Sequence, residues 1–122
     1  MDERSERNLK GVNPDLVRVV RRAYQINSGF VVTEGLRTLA RQRQLVAAGA
    51  SMTMDSRHLT GKAVDLMALV NGKGRWDWPL YAKLANLMKQ AATLENVDIE
   101  WGGDWKRFKD GPHFQLPKAT YP

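Results

Sequence analysis

At residues 56–68 the chain reads SRHLTGKAVDLMA, a polar segment followed by an alternating one. From 62 to 68 the side chains alternate as they do in a β-strand, and the alternation puts Asp65 on the less apolar face. Gly61 lets the chain bend between His58 and this strand. The stretch therefore predicts a loop that delivers a histidine, followed by a strand that carries a carboxylate.

The flanking sequence predicts further helices and strands. Asn13 and Pro14 are residue types favoured at the cap and first position of a helix, and Thr38 is a similar cap. We expect helices over 14–27, 39–48 and 78–94, and strands over 30–33, 97–101 and 113–116. Because these elements mix without regular βαβ alternation, the predicted fold class is α+β, with a small, mainly antiparallel sheet packed with helices.

The chain has 122 residues, of which 43% are apolar and 26% charged, and this is the balance of a globular domain. We expect a single domain over 1–122, with the polar residues 1–12 loosely ordered. The sequence contains no apolar run of about 18 residues, the length that spans a bilayer, and its charged start lacks the apolar core of a signal peptide. These features predict a soluble protein that is synthesised in the cytoplasm.

The absence of cysteine and the excess of basic residues limit the chemistry. Without cysteine there are no disulfides and no thiolate ligands, so a transition metal has to be held by His, Asp or Glu. The 19 Lys and Arg against 13 Asp and Glu give a net charge of +6, which attracts polyanions such as nucleic acid, anionic lipid or an acidic cell-wall polymer. Charge alone does not choose among these partners.

The chain has two histidines, and each has a carboxylate near it in the sequence. Two imidazoles and one carboxylate are a typical ligand set of a catalytic zinc site, which makes His58, Asp65 and His113 candidate metal ligands. Asp110, separated from His113 by a Gly-Pro turn, is the candidate general base. Arg37 is the candidate cation near a developing oxyanion.

Each of these assignments has an alternative. A histidine is often an ordinary polar residue, and Asp110 could cap its own turn through the side chain. Arg37 could pair with Glu34 or Asp65 for structure alone. Glu100, on a predicted strand, is a rival general base.

From about Thr33 to Leu116 the chain resembles the M15 family of zinc D-Ala-D-Ala carboxypeptidases and L-alanyl-D-glutamate endopeptidases, and in particular its small phage endolysin branch. The matching segments are TEGLR (33–37), QLVAAG (44–49), SRHLTGKAVD (56–65), WGGDW (101–105) and DGPHF (110–114). The pairing of S-x-H-x-x-G-x-A-x-D with a later D-x-x-H is specific. Many carboxypeptidases of the family have Glu and Trp where this chain has Asp110 and Pro112, which favours the endopeptidase branch.

The resemblance implies that His58, Asp65 and His113 bind one zinc ion. It implies that Asp110 is the general base and that Arg37 contacts the substrate or the transition state. The implied fold is the small α+β domain that the family shares with the hedgehog signalling domain.

The activity implied by the resemblance is zinc-dependent hydrolysis of the L-alanyl-D-glutamate bond in the peptidoglycan stem peptide, which lyses a bacterial host. The expected protein is a monomer without a separate cell-wall-binding domain and without a nucleic-acid partner. It would reach the periplasm and wall through the pore of a holin. Two alternatives stay open: a D-Ala-D-Ala carboxypeptidase using the same site, and a non-catalytic basic binding module.

Overall fold

The computed structural model describes residues 1–51 and 53–122, and these form helices and short strands in mixed order. The helices are α1 (Glu3–Leu9), α2 (Pro14–Ile26), α3 (Leu39–Ala47) and α4 (Trp78–Glu95). The strands are β1 (Phe30–Glu34), β2 (Ala63–Val70), β3 (Lys73–Arg75), β4 (Glu100–Trp101) and β5 (His113–Gln115). Single 3₁₀ turns occupy Arg57–Thr60 and Gly102–Asp104.

The predicted helix caps are present. The side chain of Asn13 accepts a hydrogen bond from the backbone N–H of Asp15, and Pro14 opens α2. The side chain of Thr38 accepts from Arg41 N at 3.1 Å and begins α3. Asn96 ends α4 in the left-handed conformation, with φ of 55°.

The strands form one antiparallel sheet in which β2 is central. The order is β1-β2-β5-β4, and β3 pairs with the end of β2 beyond β5. Val64 pairs with Phe114, and Asp65 lies between Glu34 on one side and His113 on the other. The sheet and the surrounding helices confirm the predicted α+β class.

The core lies between α2, α4 and one face of the sheet. The fully buried apolar side chains include Leu16, Val19 and Val20 of α2, Met88 and Ala91 of α4, and Phe30, Val32, Val64, Leu66 and Phe114 of the strands. Asp65 alternates with Val64 and Leu66 along β2, so its side chain lies on the opposite face. The core therefore leaves that second face available for polar groups.

The start of the chain corrects one expectation. Residues 1–12 are not loosely ordered, because α1 packs along β1 and buries Ser5 and Leu9. The Ser5 hydroxyl oxygen accepts from Val32 N at 2.9 Å, and Asn8 Nδ2 donates to Val32 O at 2.8 Å. A polar sequence is ordered here because its side chains satisfy the outer backbone groups of an edge strand.

One strand boundary also differs from the expectation. The strand predicted over 97–101 is limited to Glu100–Trp101, because Val97 N donates to Ala92 O and continues the end of α4. The turn at 71–74 belongs to a hairpin between β2 and β3, with positive φ at Asn71 and Gly72. In the described part of the chain, no helix has both the length and the apolarity needed to cross a bilayer.

Candidate active site

His58 is delivered by the 3₁₀ turn at Arg57–Thr60, which is fixed at both ends. Ser56 caps the turn by accepting from His58 N at 3.2 Å. Gly61 ends it in the left-handed region with φ of 68°, where a Cβ atom would overlap the carbonyl oxygen of Gly11. Only glycine combines this backbone conformation with so close an approach. His58 is thereby held at 2% exposure.

Asp65 and His113 are brought together by strand pairing. They are direct partners across β2 and β5, so their side chains lie on the same face of the sheet. Asp65 Oδ1 lies 3.2 Å from His58 Nε2 and 3.3 Å from His113 Nδ1, and the two imidazole centroids are 5.0 Å apart. One ligand atom from each of the three residues lies within 4.8 Å of the other two, a grouping that could hold a metal ion.

The outward-facing nitrogen of each imidazole has an acceptor. His58 Nδ1 donates to Gly35 O at 2.8 Å. His113 Nε2 donates to Gln115 Oε1 at 2.8 Å, and Gln115 Nε2 donates to Glu100 Oε2 at 3.1 Å. Because Glu100 offers only acceptors when ionised, it fixes the orientation of the Gln115 amide. Both imidazoles therefore carry their proton on the side away from Asp65.

This arrangement suits a cation in the centre. The inward nitrogens, His58 Nε2 and His113 Nδ1, each face a carboxylate oxygen of Asp65. Their lone pairs repel the lone pairs of that oxygen unless a proton or a metal ion lies between them. Burial acts to raise the pKa of Asp65, but its contacts with the two histidines, which become hydrogen bonds when the inward nitrogens are protonated, outweigh burial and hold that pKa well below its ordinary value. The chemistry of the donors therefore fits one divalent metal ion.

Asp110 lies at the entrance of β5, on the wall of the same groove. Its backbone N–H donates to Gly102 O at 3.0 Å, and its carbonyl accepts from His113 N at 3.2 Å. Within residues 1–51 and 53–122 its carboxylate accepts no hydrogen bond, so the side chain does not cap the turn. Burial, followed by the neighbouring carboxylate of Asp65, raises the pKa of Asp110 above its ordinary value.

Arg37 lies behind the candidate ligands with its guanidinium largely engaged. Nε and Nη2 donate to the two carboxylate oxygens of Glu34, each at 2.8 Å, and Nη1 donates to Gln42 Oε1 at 2.7 Å. Nη2 is 3.9 Å from Asp65 Oδ2. The side chain is 8% exposed, so Arg37 lines the floor of the groove as part of a buried polar network.

Glu100, the rival base, is exposed on β4, and among the residues that the structure describes its side chain is bonded to the site through Gln115. The groove itself has a volume of about 870 Å³ and is lined by the three grouped residues, Arg37 and Asp110. Trp105 forms part of its wall, with its ring centroid 5.2 Å from that of His113. Of the two candidate bases, Asp110 lines this groove and Glu100 does not.

Sequence comparison relates the chain to proteins of known activity. The model of the phage L-alanyl-D-glutamate peptidase family matches residues 1–116. The L-alanyl-D-glutamate peptidase of Escherichia phage T5 is 33% identical over 122 residues, which cover 96% of this chain and 88% of that protein. The chain belongs to the phage L-alanyl-D-glutamate peptidase family. This peptidase is therefore an enzyme, and the alternative of a non-catalytic binding module is set aside.

Further proteins that resemble the peptidase are also named as L-alanyl-D-glutamate endopeptidases. A peptidoglycan L-alanyl-D-glutamate endopeptidase of Bacillus subtilis, CwlK, is 34% identical over 112 residues, which are 78% of this chain and 66% of that protein. The crystal structure of the Serratia marcescens L-Ala D-Glu endopeptidase ChiX has a TM-score of 0.93 and 52% identity, covering all of this chain and 92% of the other. The D,D-dipeptidase VanXYg shares the fold, with a TM-score of 0.58 and 18% identity. The match covers 86% of this chain and 50% of the VanXYg chain.

Sequence reasoning about the peptidase missed the residues that support the candidate ligands. The Gly35 carbonyl gave no recognisable signal, because its contact with His58 spans 23 positions of the sequence. Gln115 did give one, since it shares a strand face with His113 two positions earlier. Its partner Glu100 could be found only from the pairing of β4 with β5.

Proposed function

We propose that this peptidase hydrolyses the L-alanyl-D-glutamate bond of the peptidoglycan stem peptide, using one zinc ion held by His58, Asp65 and His113. The observation that carries the proposal is the convergence of three donor atoms within 4.8 Å, with each imidazole already donating its other N–H to an acceptor. Family membership supports the choice of bond.

The donor set supports zinc in particular. His58 Nε2, His113 Nδ1 and Asp65 Oδ1 supply two nitrogens and one oxygen, and a catalytic zinc site typically has three protein ligands and one open position. When bound, zinc supplies a Lewis acid for the scissile carbonyl and lowers the pKa of an adjacent water. The remaining work falls to the side chains of the groove.

Asp110 is the proposed proton carrier. Its carboxylate takes a proton from the attacking water as the water oxygen bonds to the alanyl carbonyl carbon. It then gives that proton to the glutamyl nitrogen as the C–N bond breaks, so the products are a carboxylic acid and an amine. The burial that raises the pKa of Asp110 makes its carboxylate a stronger proton acceptor, which suits the first transfer.

Arg37 is proposed to supply positive charge to the floor of the groove. Its bidentate pair with Glu34 is buried, so the guanidinium keeps a fixed position close to Asp65. From this position its positive charge stabilises negative charge on the substrate or transition state by electrostatic attraction at a distance. It does not need to donate hydrogen bonds to the substrate directly. The pair with Glu34 also supports the structural alternative, and both roles predict that Arg37 is needed for activity.

The biological setting follows from the phage family. We propose that the protein acts as a monomer that is made in the host cytoplasm, passes through a holin-type pore and degrades the wall from the periplasm, lysing the host. Its net charge of +6 favours approach to an anionic wall polymer. Lysis that occurs only when a pore-forming protein is co-expressed is the expected result.

Digestion of purified peptidoglycan tests the activity. We expect new N-terminal D-glutamate by mass spectrometry, about one zinc per chain by elemental analysis, and loss of hydrolysis after chelation with recovery on adding zinc. Release of free D-alanine without new D-glutamate ends would instead establish the D-Ala-D-Ala carboxypeptidase. Full activity after complete metal removal would contradict the metal-dependent mechanism.

A further inference from the structure

The groove contains several cations besides the candidate ligands, and most of them are already engaged. Arg37 is held by a carboxylate and an amide. Arg57 Nη2 donates to two backbone carbonyls, at 2.6 and 2.9 Å. Lys118 forms an ion pair with Asp55 at 3.2 Å. Arg37 and Lys118 are thus paired with carboxylates, and the Arg57 guanidinium is turned toward the backbone of residues 116 and 121.

Arg107 and Lys109 differ from these cations. Both line the groove, and both side chains are exposed. In the part of the chain that the structure describes, neither forms an ion pair or donates a side-chain hydrogen bond. They therefore bring unneutralised positive charge to a groove whose three candidate ligands include a carboxylate.

The loop that carries these two residues is fixed next to the reacting centre. Trp105 N and Asp110 N both donate to Gly102 O, at 3.3 and 3.0 Å, so residues 106–109 form a short loop closed on one carbonyl. One end of the loop places an indole against His113, and the other end is the proposed proton carrier. The loop is thus anchored beside His113 and continues directly into Asp110.

Phe108, at the tip of this loop, has a strained backbone conformation. Its side chain is not buried, so packing in the core does not explain the strain. Its φ is 52°, in the left-handed region that an aromatic residue rarely adopts, and it is 68% exposed. Strained residues that do not serve the core are concentrated in loops that bind ligands. The strain thus supports a binding role for the loop.

The chemistry of the bond explains what such a loop would bind. In an L-alanyl-D-glutamate bond, alanine acylates the amine of glutamate, which has two carboxyl groups. A linear peptide continues through one of them, so the other remains a free carboxylate on the leaving side of the scissile bond. Arg and Lys side chains recognise carboxylates through charge-assisted hydrogen bonds.

We propose that Arg107 and Lys109 bind the free carboxylate of the D-glutamyl residue and select substrates that carry it. The inference rests on the proposed function, because it concerns the substrate of the same groove. Arg107 and Lys109 act on binding and specificity and do not touch the reacting atoms. Their charges recognise the part of the substrate that distinguishes glutamate from an uncharged residue.

The test uses two soluble peptides that contain the bond, one with the free glutamyl carboxylate and one with a carboxamide in its place. The native enzyme is expected to have a kcat/KM about tenfold or more higher for the carboxylate peptide. Arg107→Gln and Lys109→Gln each reduce this ratio, with the loss confined to the carboxylate peptide. Lys106→Gln is the matched control, because Lys106 is a cation of the same loop that does not line the groove.

The outcomes separate the inference from the proposed function. An unchanged ratio in both variants overturns the inference, as does an equal loss in Lys106→Gln, which would reflect net charge alone. Hydrolysis of neither peptide by the native enzyme overturns the proposed function and the inference with it. Zinc content and thermal midpoint, measured for every variant, are expected to equal those of the native protein.

Discussion

Asp110 is the residue on which the proposed proton transfers depend. Asp110→Asn keeps the shape of the side chain but cannot accept a proton, so kcat should fall by about 10²- to 10⁴-fold. Zinc content and fold should be unchanged, whereas His113→Ala should lose the metal. Asp104→Asn is a suitable control, because this exposed carboxylate pairs with Lys89 outside the groove. Near-native hydrolysis by Asp110→Asn would exclude this residue as the base.

Gln115 is expected to control metal affinity through His113. Gln115→Leu removes the acceptor for the Nε2 proton of His113, so the imidazole loses its fixed tautomer and orientation. We predict a zinc affinity about 10- to 100-fold lower, measured by competition with a chromophoric chelator. Gln115→Glu retains an acceptor and should bind zinc more tightly than Gln115→Leu. Equal affinities for the two variants would show that the hydrogen bond has no such role.

At the scale of elements, the 3₁₀ turn between α3 and β2 depends on Gly61. Gly49 and Gly61 both have positive φ, 74° and 68°, but only Gly61 has a backbone carbonyl where a Cβ would lie. Gly49→Ala should therefore lower the free energy of unfolding by only about 1–2 kcal/mol, the strain of an alanine in the left-handed conformation. Gly61→Ala should lower the free energy of unfolding by roughly 1–3 kcal/mol more, because the backbone must move.

Urea unfolding of the two glycine variants measures this difference, and zinc titration shows whether it reaches the site. Gly61→Ala should bind zinc less tightly than Gly49→Ala, because the turn it distorts positions His58. If the two variants were equally stable, the contact between Gly61 and Gly11 would have no energetic weight.

At the scale of the whole molecule, one hydrogen bond connects the last residues to the start of α2. Tyr121 Oη donates to Asp15 Oδ2 at 2.6 Å, and this bond, followed by that from Arg18, lowers the pKa of Asp15 below 3.8. A depressed folded pKa means that the stabilisation is present above the ordinary pKa and is lost as the pH falls through the lowered value.

Tyr121→Phe should therefore lower the free energy of unfolding at about pH 7 by up to about 1 kcal/mol, since the pair is partly exposed. The difference from the native protein should narrow as the pH falls from 3.8 through the lowered pKa of Asp15, because the folded carboxyl then becomes protonated. Denaturant unfolding at several pH values provides the measurement, with Tyr24→Phe as the control. A difference independent of pH would mean that the ionised carboxylate is not the partner that matters.

The sequence predicts the elements whose signals are local and misses those that depend on distant contacts. The Asn13 cap, the alternation around Asp65 and the bend at Gly61 can all be recognised from residue types. The helix at 3–9 cannot, because its buried Ser5 serves the backbone of Val32, 27 positions away. In the same way, grouping His58 with Asp65 and His113 follows from their motifs, whereas the supports of the histidines come from other strands and turns.

The position of α1 against β1 also limits how a peptide can be recognised. Many proteases and peptide-binding domains extend a sheet by one strand, so that the ligand's main chain is read regardless of its side chains. At Val32 that mode is blocked, because both outward backbone groups are already bonded to Ser5 and Asn8. Recognition along this edge of the sheet therefore relies on side chains, so single substitutions there can change the preferred peptide while the sheet is preserved.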